Sequence, residues 1–261
     1  MILRETKDGT TVVMGQTDHS RLVGQLAARW GNDRFSVPQP YNTVARAAAF
    51  HDYGWLRYET APLYDHASGQ TPGFRAVPAS PHQIEGYKWC GDWLLADDPY
   101  ASLIVTMHRA GLWSGRYDAV THPAHPRFPN LSQEIKDFVA QSETRQRQSK
   151  DTIDPAQLWT NYRLLQVWDL LGLYFCCQDP YEDYIEPVPL TYSGGRMDGV
   201  RLTMKPIDPR TVAFDPFPFA TRPCHVQLAY RRLPSATFAD EASFRRAYYE
   251  SELDVMKFEL V

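Results

Sequence analysis

The sequence contains no uninterrupted apolar run near the roughly 18 residues that a membrane-spanning helix needs. Its most apolar stretch, Leu164 to Cys177, is broken by Gln166 and Asp169, so no membrane partner is expected. Met1 to Lys7 have neither the apolar segment nor the small-residue cleavage site of a secretory leader. Cysteine is sparse, and Cys90, Cys176, Cys177 and Cys224 form no C-x-x-C pair, which fits buried thiols in a reducing cytoplasm. Positive charge is not in excess: 27 Lys and Arg stand against 31 Asp and Glu, for a net charge of −4. Affinity for a nucleic-acid backbone rests on clustered Lys and Arg. The clusters Arg145 to Lys150 and Arg231-Arg232 are small enough to read as solvated surface, and a nucleic-acid partner is not expected. Phosphate-loop, dinucleotide and nucleophile-elbow motifs are missing as well: Ser20, Ser80 and Ser114 lack a G-x-S-x-G setting, and Gly194-Gly195 reads as a turn.

What is present describes a globular chain. With 261 residues, 43% of them hydrophobic and 13% aromatic, there is material for a substantial core in one or two domains. Residues 1–16 alternate around Asp8-Gly9 and predict a β-hairpin. Leu22, Val23, Leu26 and Trp30 recur at helical spacing with His19 on the same face, and Gly31-Asn32 supplies a stop. A helix from about Thr43 carries Val44, Ala47, Ala48 and His51, and Gly54 closes it. Ser80-Pro81-His82 and Asp98-Pro99 each have the cap-then-proline order of a helix start. The second of these helices places Ile104, Val105, His108 and Leu112 on one face. After a helical run at Leu131 to Val139, Asp154-Pro155 opens a long helix in which Asp169 interrupts an apolar stripe. From about residue 180 the texture changes, with nine of the 20 prolines between Pro180 and Pro234 among short alternating runs. The expected architecture is a single mainly α domain. Its helical core covers about 17–178, and a small β appendage over about 180–261 has hairpin 1–16 as its candidate partner.

His19, His51, His82 and His108, with Asp52 and Asp169, fall near the apolar faces of five helices. One buried histidine is more often a satisfied core residue than a ligand, and one such aspartate can simply cap a neighbouring helix. Six together demand extensive pairing, which a divalent cation satisfies at once because imidazole and carboxylate are its ligands. Neighbours on a helix point about 100° apart, so His51 and Asp52 can share an ion only at a helix end, where Gly54 places them. Six protein ligands suit two metals sharing a bridging carboxylate and solvent.

The order His19, His51-Asp52, His82, His108, Asp169 resembles the H…HD…H…H…D pattern of the HD-domain superfamily of helical metalloenzymes. More narrowly, Gln16 to Ser20, His51 to Trp55 and Thr106 to Leu112 resemble an uncharacterised bacterial branch, a domain-of-unknown-function family spanning nearly the whole chain. The resemblance implies an HD-like fold and makes the six residues metal ligands for two divalent transition-metal ions, iron or manganese, with Asp52 as the bridge. Many superfamily members carry a substrate-binding lysine shortly after the HD pair, where this chain has Trp55 and then Arg57. Arg57, Arg109 and Arg116 are the nearest cations for an anionic substrate, Arg being shaped for bidentate contact with phosphate or carboxylate. Asp52 and Arg109 are the candidate catalytic pair. His66, His122 and His125 read as loop residues and His225 as a structural strand residue. The expected function is a dinuclear hydrolase of a phosphate ester. An HD-type diiron oxygenase acting on a small organic substrate is the alternative, and a non-catalytic metal-binding module the third reading.

Overall fold

A computed structural model describes residues 1–75, 81–120, 122, 130–150, 153–195 and 197–261, without the side chains of Pro81, His82, Ser149 and Lys150. Strands β1 (Ile2–Glu5) and β2 (Thr11–Met14) form the predicted hairpin, with Ile2 opposite Met14 and Gly9 left-handed in the turn at φ +81°. Helix α1 (Gln16–Arg29) follows and stops at the extended Trp30. Helix α2 (Tyr41–Phe50) ends on His51, and a 3-10 turn, Tyr53–Trp55, leads into the short α3 (Leu56–Thr60). Helices α4 (Pro81–Asp97), α5 (Pro99–Trp113), α6 (Gln133–Lys150) and α7 (Pro155–Cys177) complete the helical part. The two Asp-Pro signals work as expected. Asp98 accepts from Ala101 N at 3.0 Å and Asp154 from Ala156 N at 2.9 Å, each satisfying an orphan donor of a first turn whose proline needs none.

The rest of the chain corrects the expected mainly α, HD-like fold with a small β appendage. About 48% of the described residues are helical and 20% strand, and the described strands form one seven-stranded mixed sheet in the order β1-β2-β6-β7-β5-β4-β3. The added strands are β3 (Asp183–Val188), β4 (Val200–Pro206), β5 (Thr211–Asp215), β6 (Cys224–Leu233) and β7 (Leu253–Leu260). Helix α8 (Glu241–Glu250) links β6 to β7 through a capping box at Asp240 and Ser243. The hairpin joins by antiparallel pairing of β2 with β6, whereas β5 and β7 run parallel.

The sheet is part of the same core as the helices because one of its faces is apolar and must be covered. Cys224, Val226, Leu228 and Tyr230 of β6 are buried and alternate with outward His225 and Gln227. They share a single cluster with Leu22, Val23 and Leu26 of α1, Leu165, Trp168 and Phe175 of α7, and Phe258 and Leu260 of β7. Burial of each such side chain contributes ~1.5–3 kcal/mol. The α1 helix is also fixed in register on the sheet. Gln25 Nε2 donates to Gln227 O at 2.8 Å, and Gln227 N donates back to Gln25 Oε1 at 3.0 Å. Held this way, α1 and α7 run side by side, with α2 and α5 packed against them.

Candidate metal centre

Asp169 is one of the few polar side chains in the buried stretch of α7, and it is 5% exposed. Three imidazoles approach it from three helices. His19 of α1 brings Nε2 within 3.1 Å of Asp169 Oδ1, His51 at the end of α2 brings Nε2 within 3.4 Å of the same oxygen, and His108 of α5 has Nε2 3.9 Å from Oδ2. Their rings meet edge to face, with centroids 5.3 Å apart for His19 and His51 and 5.1 Å for His51 and His108. One ligand atom each from His19, His51 and Asp169 lies within 4.8 Å of the other two, a spacing that can hold one metal ion.

His51 shows most directly what the cluster suits. Its Nδ1–H donates to the Ala48 carbonyl at 2.8 Å, which leaves the lone pair on Nε2. That buried atom has no hydrogen-bond partner among the described residues. A metal-binding histidine is commonly oriented by such a backbone contact at its other ring nitrogen. His19 Nδ1 lies 3.8 Å from Cys176 Sγ, while His108 Nδ1 is buried without a partner among the described residues. Burial pushes His51 below the usual imidazole range and His108 well below it, so both are neutral at neutral pH, as ligation requires. Burial alone would raise the Asp169 carboxyl, but the hydrogen bond from His19 and the charge of Arg116 outweigh it and hold it well below the usual range. A carboxylate with two imidazoles is a donor set for Zn, Mn or Fe.

The His51-Asp52 corner is fixed by backbone crowding. A Cβ on Gly54 would lie 2.7 Å from the Gly86 carbonyl oxygen, so the 3-10 turn and α4 meet backbone to backbone only because both positions are glycine. Asp52 N donates to Ser20 Oγ at 3.2 Å, tying the corner to α1. Asp52 forms an ion pair with Arg109, and its Oδ2 is 3.8 Å from His51 Nε2. The carboxylate at the hub of the imidazoles is therefore Asp169, and Asp52 lies beside it in an arginine's grip.

The three arginines named from the sequence have different fates. Arg109 is 3% exposed, donates Nε and Nη2 to the His51 carbonyl at 3.2 and 3.1 Å, and stacks 3.9 Å above the Tyr87 ring. Burial lowers it to about 9, still charged at neutral pH, and its donors clamp the end of α2. Arg116 is equally buried and donates Nη2 to Asp169 Oδ2 at 2.9 Å, while Nη1 has no partner among the described residues. It reaches Asp169 from a left-handed turn, with φ of 63° at Gly115, 54° at Arg116, 50° at Tyr117 and 56° at Asp118. Left-handed backbone costs L-residues about 1–2 kcal/mol each and persists where the surroundings enforce it. Arg57 is an exposed residue of α3 whose Nη1 is 3.5 Å from Glu85 Oε2, outside the cluster.

Five of the six expected ligands thus come together. His82 belongs to α4, but its side chain lies outside the described residues, as do Ser80 and His125 entirely. His122 pairs with Asp183 at 3.1 Å, His66 is 3.8 Å from Glu241, and His225 is an exposed residue of β6, all away from the cluster. Two supporting residues were not read from the sequence: Gly172 and Cys176, one and two turns beyond Asp169 on the same stripe of α7, both against His19. The i, i+3, i+7 spacing from Asp169 was the signal that could have found them.

The chain belongs to the family described as protein of unknown function (DUF3891), whose profile matches residues 1–235. Comparison with the curated proteins and with the solved structures gives no match. No helix among the described residues is long and apolar enough to cross a membrane.

Proposed function

We propose that the protein is a metal-dependent hydrolase of a small anionic ester, a phosphate ester in the first instance, with one divalent ion held by His19, His51 and Asp169. The observation that carries this reading is the orphaned, buried Nε2 of His51, 3.4 Å from the Asp169 carboxylate and fixed as a lone-pair donor by the bond from Nδ1 to Ala48. The ligand order H…HD…H…H…D resembles that of the HD superfamily, in which hydrolysis is the commonest activity. A two-ion form would recruit His108, Asp52 and His82, and would require Asp52 to leave Arg109. The present geometry therefore favours the one-ion form.

When bound, a divalent ion lowers the pKa of its water toward neutrality and offers open positions to an ester oxygen. The chain's own groups would do the rest. Arg116 holds Asp169 ionised through Nη2 and has Nη1 free to meet negative charge on the substrate. His108, kept neutral by burial, is the imidazole of the cluster whose Nδ1 has no partner among the described residues, and so the one free to hydrogen-bond the substrate there.

The donor set also favours a second reading. Two histidines and one carboxylate with open positions are the ligands of non-haem iron oxygenases, which makes an iron-dependent oxygenase of a small organic substrate the rival. Turnover of p-nitrophenyl phosphate and bis(p-nitrophenyl) phosphate by the Mn²⁺-loaded protein, with and without air, separates the two. Equal hydrolysis in both atmospheres is expected. Inertness toward both esters, combined with iron-dependent and strictly aerobic consumption of an organic substrate, would replace the hydrolase with the oxygenase.

A further inference from the structure

A cavity of about 710 Å³ opens between α5, α6, α7 and the β3–β4 connection, and the metal centre's ligands do not line it. Its size lies in the range of small-molecule sites, which are mostly apolar with a few placed polar groups. Trp159 and Tyr117 supply aromatic surface, with Met107 and Leu158 beside them. The wall is held in place from several sides. Tyr117 OH donates to Glu143 Oε1 at 3.0 Å, and the Tyr117 ring packs against Tyr162 with centroids 6.0 Å apart. Gly195, on the β3–β4 side, donates N–H to Asp198 Oδ2 at 2.6 Å, and Arg163 secures the same connection by donating to the carbonyls of Pro187 and Asp198 at 3.1 and 2.6 Å.

Two donors on this wall lack an anionic partner among the described residues. Gln146 is 3% exposed, lines the cavity, and its Nε2 has no hydrogen-bond partner among the described residues. A buried amide N–H left unpaired is costly, so an acceptor that reaches it from the cavity is favoured. Arg147, the next residue, donates Nη2 to Thr144 Oγ1 at 2.9 Å and faces no carboxylate within ion-pair distance among the described residues. Glu143, the acidic group on the same wall, is already engaged by the Tyr117 hydroxyl.

We propose that this cavity is a binding site for a planar aromatic carboxylate, its rings lying against Trp159 and Tyr117 and its carboxylate accepting from Gln146 Nε2 and the Arg147 guanidinium. Planar apolar surface suits the rings, and a carboxylate meets an amide donor and a guanidinium with charge-assisted bonds. The site stands independently of the metal centre, since neither its walls nor its donors include a proposed ligand.

The test is calorimetric titration of the full chain with 2-naphthoate and with 2-naphthamide, its uncharged analogue. Saturable binding of one 2-naphthoate per chain is expected, with much weaker binding of the amide. Gln146→Leu and Arg147→Gln should each weaken 2-naphthoate by ~tenfold or more, with the melting temperature of the free protein unchanged or, for Gln146→Leu, raised. Trp159→Ala should abolish binding. Gln146→Leu conserves volume, so it remains decisive where Trp159→Ala does not fold. Failure of 2-naphthoate to bind, equal binding of the amide, or an unaltered affinity in Gln146→Leu would each overturn the assignment.

Discussion

Gly172 lies one helical turn beyond Asp169, and a Cβ placed on it would sit 2.6 Å from Cε1 of His19. The ring of His19 therefore occupies the space that any other residue's side chain would claim. Gly172→Ala would raise helix propensity by about 1 kcal/mol, yet it should displace the imidazole from Asp169. The expected result is a folded protein whose affinity for Mn²⁺ or Zn²⁺ falls by ~tenfold or more, since misplaced ligands cost that much in metal sites. Titration with a competing chelator measures it; an unchanged affinity would remove His19 from the site.

The left-handed turn that delivers Arg116 makes a prediction free of packing effects. Gly115 has φ 63°, and a Cβ there would meet nothing within 4 Å among the described residues. Gly115→Ala should therefore cost about 1–2 kcal/mol from backbone conformation alone, read from urea unfolding midpoints. A loss below about 0.3 kcal/mol would mean that the turn is not left-handed in solution.

Arg109 should behave as a clamp on the end of α2. Removing it by Arg109→Ala leaves the Asp52 carboxylate buried without its partner, and breaking a buried pair costs about 3–5 kcal/mol. Arg109→Lys should restore only part of that, because an ammonium cannot reproduce the forked contact with the His51 carbonyl or the stacking on Tyr87. Thermal and urea unfolding of the two variants give the comparison, and full stability in Arg109→Ala would contradict the clamp.

The thiols should be quiet. Burial pushes Cys90 up to about 12, Cys224 to about 11, and Cys176 well above the usual thiol range. A raised pKa removes the reactive thiolate below that value, so at mildly alkaline pH these three should resist a disulfide reagent in the native protein and react on unfolding. Rapid native labelling of all four cysteines would show that the core opens readily.

Much of this was legible where the cause is local. The Asp98-Pro99 and Asp154-Pro155 starts, the turn at Asp8-Gly9 and the inward histidines of α1, α2 and α5 follow from caps, left-handed glycine and 3.6-residue periodicity. The extent of the sheet did not, because strand pairing is non-local. The β2–β6 and β5–β7 pairings join segments far apart in the chain, and the proline-rich stretch between Pro180 and Pro234 disguised strands of five to ten residues. The site was half legible for the same reason. Periodicity placed His19, His51, His108 and Asp169 on inner faces, but which carboxylate became the hub was decided by Arg109 and Arg116, and their reach depends on tertiary contact. The strain at Arg116 had no sequence signal beyond Gly115.

The central claim is tested most directly by the metal content of the protein purified without chelators, measured by elemental analysis beside Asp169→Asn and His225→Ala. His225 is an exposed strand residue, so its variant controls for adventitious binding. About one divalent transition-metal ion per chain is expected in the wild type and in His225→Ala, and near-complete loss in Asp169→Asn, which removes the charge at the hub and keeps its shape. A wild type without stoichiometric metal, or an Asp169→Asn protein that retains it, would contradict the metal centre.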